Sequence, residues 1–117
     1  TESLVGPLTE MADYWRAFGK RVRDFETAHE GASAIYGSGF YGTFISTCLE
    51  QPERVRCFLD QNPHRQKQSL LDLPIFAPEA LPGEVNSIYV GLNPRVAREE
   101  IAAANNLQSR ECDFFYP

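Results

Sequence analysis

Three cysteines, two histidines and one methionine are all that this 117-residue chain offers in soft or imidazole ligands. Cys48, Cys57 and Cys112 are odd in number, widely spaced and free of any CxxC pair. His29 and His64 do not complete a ligand set with them, so the pattern excludes both a disulfide framework and a zinc site. The expectation is reduced cysteines in a cytoplasmic protein, with no metal. Positive charge is also scarce: 11 Lys and Arg stand against 16 Asp and Glu, a formal charge of −5, and no basic run offsets it. Nucleic acid and membrane surfaces are anionic and repel such a chain, so neither is an expected partner. No apolar run approaches the roughly 18 residues of a membrane span. The polar opening Thr1-Glu2-Ser3 does not read as a signal peptide.

Catalytic signatures are missing too. There is no Tyr-x-x-x-Lys pair to deliver a proton beside a hydride, no Gly-x-Ser-x-Gly nucleophile turn and no His-Glu-x-x-His pair. The catalytic residues are therefore unknown, and an isolated activity is not expected. His64, Arg65 and Lys67 read as a solvated loop. Glu99 and Glu100, adjacent on a helix, point about 100° apart and read as surface, not as a facing carboxylate pair.

What is present is a glycine pattern in a specific setting. Ala32-Ser33-Ala34-Ile35-Tyr36 reads as a strand and Gly37-Ser38-Gly39-Phe40-Tyr41-Gly42 as a G-x-G-x-x-G turn. An apolar helical run follows, and then the strand Val55-Arg56-Cys57-Phe58-Leu59 ending on Asp60. This is the layout of a nucleotide-binding βαβ unit. Gly37 serves a tight turn, Gly39 lets backbone approach a pyrophosphate, and Gly42 lets the helix lie against the sheet. An anion on the helix N-terminus needs no lysine, because unpaired N–H groups and the helix dipole supply the positive end. Asp60, eighteen residues after Gly42, can accept from a ribose diol and would repel a 2′-phosphate unless an arginine stood nearby, which favours NAD-like or adenosine ligands over NADP. The candidate ligand set is Gly37, Ser38, Gly39, Phe40, Tyr41, Gly42 and Asp60, extended by Asn62 and Asn93, which follow strand ends where open α/β sheets bind ligands. Asn93 reads equally as a strand stop, and Cys57 as core packing.

Ahead of this unit, Leu8, Met11, Trp15, Phe18, Val22 and Phe25 recur at steps of three and four, placing one apolar stripe on a helix. Gly6-Pro7 marks its start and Gly31 its end. Beyond the unit, Gln61–Gln68 reads as a polar loop. Leu73–Phe76 reads as a strand whose proline suits an edge, Pro78–Leu81 as one helical turn, and Ser87–Leu92 as a buried parallel strand. A helix from Val96 ends near Asn105-Asn106, and Asp113–Tyr116 is a last strand. The expected fold is α/β: a three-layer, Rossmann-like parallel sheet of about four to five strands. An N-terminal helix (1–31) packs on the 32–117 domain.

With the glycine turn, Phe58-Leu59-Asp60-Gln61-Asn62-Pro63, Leu73-Pro74-Ile75-Phe76-Ala77-Pro78-Glu79-Ala80-Leu81 and Ser87-Ile88-Tyr89-Val90 together, the chain resembles the Rossmann-like C-terminal domain of sugar C-methyltransferases. It is similar also to the nucleotide-binding portions of sugar-nucleotide dehydratases and sialic-acid-type acetyltransferases. Tyr14–Val22 resembles the helix leading into the methyltransferase domain, so the likeness spans residues 14–117 at motif level. It implies a nucleotide-sugar or NAD-like ligand here and S-adenosylmethionine on a separate domain. Bulky Phe40 and Tyr41 inside the turn depart from the pattern. These rings either stack on a base or sugar or fill the space of a phosphate.

Two further readings stand beside this one. In one, the chain is a non-catalytic interaction domain with an empty glycine turn, whose aromatic helix docks a parent domain or a second copy. In the other, it is the NAD-binding domain of an oxidoreductase or dehydratase.

Overall fold

Alternation of side chains along the three central strands of a six-stranded sheet sets the architecture, because these strands bury both of their faces. The computed structural model describes residues 2–117, with side chains from Glu10 onward. Its helices are α1 (Glu2–Ala28), α2 (Phe40–Cys48), α3 (Pro94–Ala103) and α4 (Asn105–Gln108). Its strands are β1 (Ala32–Tyr36), β2 (Val55–Leu59), β3 (Ser69–Leu70), β4 (Leu73–Phe76), β5 (Val85–Val90) and β6 (Asp113–Phe115). They form one mixed sheet in the order β3-β4-β2-β1-β5-β6. All pairings are parallel except β3 with β4.

The two faces of the sheet carry separate cores. Ala34, Tyr36, Cys57, Leu59, Ile88 and Val90 meet Ala97 and Ile101 of α3, Leu107 of α4 and Ala104 between them. Ile35, Phe58, Tyr89 and Phe115, on the alternate positions, meet Phe18 and Val22 of α1 and Ile45 of α2. Burial pushes the Cys57 thiol up to about 11, which keeps it neutral and unreactive in the core. No helix among the described residues is long and apolar enough to cross a membrane.

Helix α1 is tied to the sheet by more than its stripe. Glu26 is buried, and its carboxylate accepts two backbone hydrogen bonds, from Glu50 N and Gln51 N at 2.9 Å each. It thereby satisfies two donors of the turn between α2 and β2. Of the expected stripe, Phe18 and Val22 are fully buried, Trp15 and Phe25 partly, while Met11 is 58% exposed. The Leu8 side chain lies outside the described residues.

Several expectations change. Six strands form where four to five are expected, because β3 falls between the Gln61–Gln68 loop and the Leu73–Phe76 strand, where the sequence pattern marks no element. Its hairpin to β4 turns through Leu71 (φ 51°) and Asp72 (φ 64°), both left-handed, and so lacks the Asn-Gly or Asp-Gly signal of such a turn. β4 is consequently not an edge, since β3 covers its outer side. Pro74 is tolerated because β4 pairs with β2 only at Ile75 and Phe76. The buried strand runs Val85–Val90, two residues earlier than Ser87–Leu92, so Gly91 and Leu92 belong to a turn. Helix α1 begins at Glu2, ahead of Gly6-Pro7. The last helical run breaks at Ala104 and resumes as α4.

Two stability effects follow from this description. Glu26→Ala removes the acceptor shared by the Glu50 and Gln51 N–H groups, which water at this exposed turn replaces in part, and is expected to lower urea-unfolding stability by about 1–2 kcal/mol, with Glu26→Gln losing less. Leu71→Asn relieves a left-handed leucine that is 53% exposed and contributes no core packing. It is expected to raise stability by about 0.5–1 kcal/mol in the same assay.

Candidate functional site

β1 is the central strand, and after it the chain is laid down first on one side and then on the other. β2 and β4 follow on one side; the chain then returns to place β5 and β6 on the other. The carboxyl ends of β1 and β5 diverge at this reversal, the position at which open parallel sheets form a crevice. The two turns that leave these ends are Gly37-Ser38-Gly39 and Gly91-Leu92-Asn93.

Close backbone contact holds the turns together. Gly37 has φ +103°, and its N–H donates to Leu59 O at 2.7 Å, while Gly91 N–H donates to Tyr36 O at 2.7 Å. A Cβ on Gly42 would lie 2.0 Å from Gly37 O, and one on Gly91 would lie 2.5 Å from Gly42 Cα. One on Gly37 would lie 2.5 Å from Gly91 O. Gly37 and Gly42 thus have packing reasons to be glycine. Gly39 is different: its φ is −96° and nothing stands within 4 Å of a Cβ there. It is the N-cap of α2 and supplies no side-chain cap, so the first N–H groups of the helix gain no acceptor from it.

Asp60, at the end of β2, reaches the glycine turn. One carboxylate oxygen accepts from Ser38 Oγ at 2.5 Å and the other from Asn62 N–H at 2.8 Å. A carboxylate accepts about four hydrogen bonds, so capacity remains. Arg65 donates to Ser38 O and Ser38 Oγ, both at 3.3 Å, and Gln66 Nε2 to Asp60 O at 2.7 Å. The 61–68 loop is thereby tied to the turn.

Beside Asp60 a cleft of about 190 Å³ opens over Tyr36, walled by Gly37, Asp60, Gln61, Leu92 and Glu100. Tyr36 is 3% exposed, and its hydroxyl accepts from Gln61 Nε2 at 2.8 Å. Burial raises this hydroxyl above the ordinary tyrosine value. The Gln61 hydrogen bond opposes that, and the negative charges of Glu100, Asp60 and Glu79 reinforce it. The phenol is protonated at neutral pH. A second cavity of about 320 Å³ shares Gln61 and is lined by Pro78, Glu79, Ala103, Ala104, Asn105 and Asn106.

Of the residues expected from sequence, only Gly37 and Asp60 line the cleft, with Ser38 behind Asp60. Phe40 and Tyr41 turn the other way, edge-on or tilted against Trp15 at 5.6 and 5.9 Å, with Phe40 67% exposed. Asn62 and Asn93 are local: Asn62 Oδ1 accepts from His64 N–H, and Asn93 Oδ1 caps α3 by accepting from Arg95 N–H. Tyr36, Gln61, Gly91, Leu92 and Glu100 were not expected at the site. Glu100 read as surface because nothing local marks which turn of a helix faces a crevice. Gly91 carried a usable signal, a glycine closing an otherwise apolar strand.

Compared with protein-family models, with curated proteins and with solved structures, the chain matches none of them.

The glycines separate experimentally. Gly42→Ala forces a methyl into Gly37 backbone and is expected to cost about 3 kcal/mol or more in chemical denaturation. Gly39→Ala is expected to stay within about 1 kcal/mol of the parent, the difference between glycine and alanine as an N-cap.

Proposed function

We propose that this chain is a nucleotide- or nucleotide-sugar-binding module of Rossmann-like, three-layer type, similar to the C-terminal domain of sugar C-methyltransferases and not catalytic on its own. The observation that carries the reading is a coincidence of topology and chemistry. The glycine turn, the open N-terminus of α2 and Asp60 meet at the carboxyl ends of neighbouring parallel strands, at the reversal of strand order. In this reading a phosphate sits on the N–H groups after Gly39, where helix dipole and unpaired donors stabilise an anion. Asp60 accepts from a sugar diol, its remaining lone pairs being free for this. S-adenosylmethionine belongs to a separate domain. A cytoplasmic setting accords with the unpaired cysteines, and the excess of acid argues against nucleic-acid or membrane partners.

A second reading, an interaction domain with an empty turn, is favoured by one feature. Between α1 and α2 lies a groove of about 590 Å³ floored by Ala12, Trp15, Gly19, Phe44 and Cys48, and Met11 and Tyr14 stand exposed on α1. The NAD-dependent oxidoreductase reading lacks a proton donor in the expected Tyr-x-x-x-Lys arrangement.

A thermal-shift series with NAD, NADP, S-adenosylmethionine, coenzyme A, and UDP- and dTDP-sugars tests the proposal. A ligand at about a hundredfold excess over Kd is expected to raise Tm on the order of 5–10 °C. Asp60→Ala is expected to weaken it about tenfold, the value of one charge-assisted hydrogen bond, and Gly39→Ala also to weaken it. No shift with any compound overturns the nucleotide reading in favour of the interaction domain.

A further inference from the structure

The crevice at the strand reversal carries a charge pattern that a nucleotide site of the simple kind does not need. The Tyr36 cleft is walled by two carboxylates, Asp60 and Glu100, and a third, Glu79, lines the adjoining cavity across Gln61. Among the described residues no lysine, arginine or histidine lines either cavity. Arg65, the nearby base of the 61–68 loop, spends its guanidinium on Ser38. Glu79 and Glu100 have neither hydrogen bond nor ion pair among the described residues. Nor do three His, Cys, Asp or Glu side chains converge there to cage a metal ion.

The Tyr36 hydroxyl supplies the second half of the pattern. It is buried at the floor of the cleft and accepts from Gln61, and among the described residues no acceptor is set against its own proton. The cleft therefore presents the Tyr36 hydroxyl as a donor beside the Asp60 and Glu100 acceptors. Its volume, below the ~300–1,000 Å³ of whole-ligand pockets, suits one ring.

We propose that the Tyr36 cleft is a subsite for a phosphate-free sugar ring whose substituents donate hydrogen bonds. Tyr36 donates to a ring or hydroxyl oxygen, and Asp60 and Glu100 accept from hydroxyl or ammonium groups. The inference rests on the nucleotide-ligand reading above and deepens it, making Tyr36 and Glu100 specificity-determining residues. The same carboxylates that accept from a neutral or amino sugar repel a carboxylate or a phosphate in its place.

Isothermal titration of the full chain with UDP-glucose, UDP-glucosamine and UDP-glucuronate tests it. UDP-glucosamine is expected to bind at least as tightly as UDP-glucose, and UDP-glucuronate about tenfold more weakly, as charges a few Å apart in a half-wet cleft dictate. Glu100→Gln, an exposed substitution that leaves folding intact, is expected to shrink that spread to about threefold or less. Tyr36→Phe is expected to weaken all three. Equal affinities for the three sugars, or a spread unchanged in Glu100→Gln, overturn the subsite while leaving the nucleotide reading in place. If no UDP-sugar binds, methyl glucosaminide followed by NMR separates the two claims. Binding that Glu100→Gln weakens keeps the sugar subsite and leaves the nucleotide reading to the thermal-shift series, whereas no binding overturns the subsite.

Discussion

Three backbones meeting without side chains between them make the rest of this molecule possible. Gly37, Gly42 and Gly91 lie so close that a methyl on any one would fall 2.0–2.5 Å from another's backbone. That contact brings the start of α2 down onto the ends of β1 and β5, which pair along their length through Ala32↔Val85 to Tyr36↔Val90. Overlap at such distances is met only by moving the chain, so the site's geometry is a consequence of main-chain packing. The unpaired N–H groups of α2 are then aimed past Gly39, whose own surroundings are open.

From this contact the two cores acquire different characters. The face under α3 and α4 is built with small residues, Ala32, Ala34, Ala97 and Ala104, which let those helices approach closely. The face under α1 and α2 is aromatic: Phe18, Phe25, Phe44, Phe58, Tyr89 and Phe115 interlock around Trp15 and Val22. Helix α1 packs directly on α2 through Trp15 and Phe18 against Phe44, and the Glu26 carboxylate ties it to the turn after α2. Arg21, donating to Tyr116 O at 2.7 Å, and Arg110, spread over the carbonyls of Leu81, Pro82, Gly83 and Val85, close the opposite loops in the same manner. Acidic excess in this chain thus coexists with arginines used as main-chain staples, which explains why so few remain to meet an anion.

What the sequence made legible follows from locality. The order of β1, α2, β2 and β5, the burial of Cys57 and the position of Asp60 could be read because each depends on residues next to one another: a run of apolar side chains, a glycine, an acid at a strand end. The β3 hairpin could not, since Leu71 and Asp72 adopt left-handed conformations that tertiary contacts impose and no local preference announces. The lining of the cleft could not be read from sequence for the same reason. Asn62 and Asn93 looked like ligand contacts because they follow strands, yet both spend their side-chain oxygens on the nearest backbone, as asparagines at turns and caps do. Tyr36 and Glu100 looked like core and surface. They become neighbours only when β1 and α3 are set across the crevice, a relation separated by more than sixty positions in the chain.

The glycine turn divides two electrostatic environments. On one side the N-terminus of α2 carries partial positive charge with no basic side chain required. On the other, Asp60, Glu100 and Glu79 make the crevice negative enough to help hold the Tyr36 phenol protonated. A ligand under the proposed function must match both, with an anion at the helix and hydrogen-bond donors in the crevice, which is the polarity of a sugar joined to a diphosphate. A 2′-phosphorylated dinucleotide has the opposite polarity at the crevice end. Under that proposal discrimination and binding come from the same two carboxylates, Asp60 and Glu100, so selectivity is lost in step with affinity when those charges are removed.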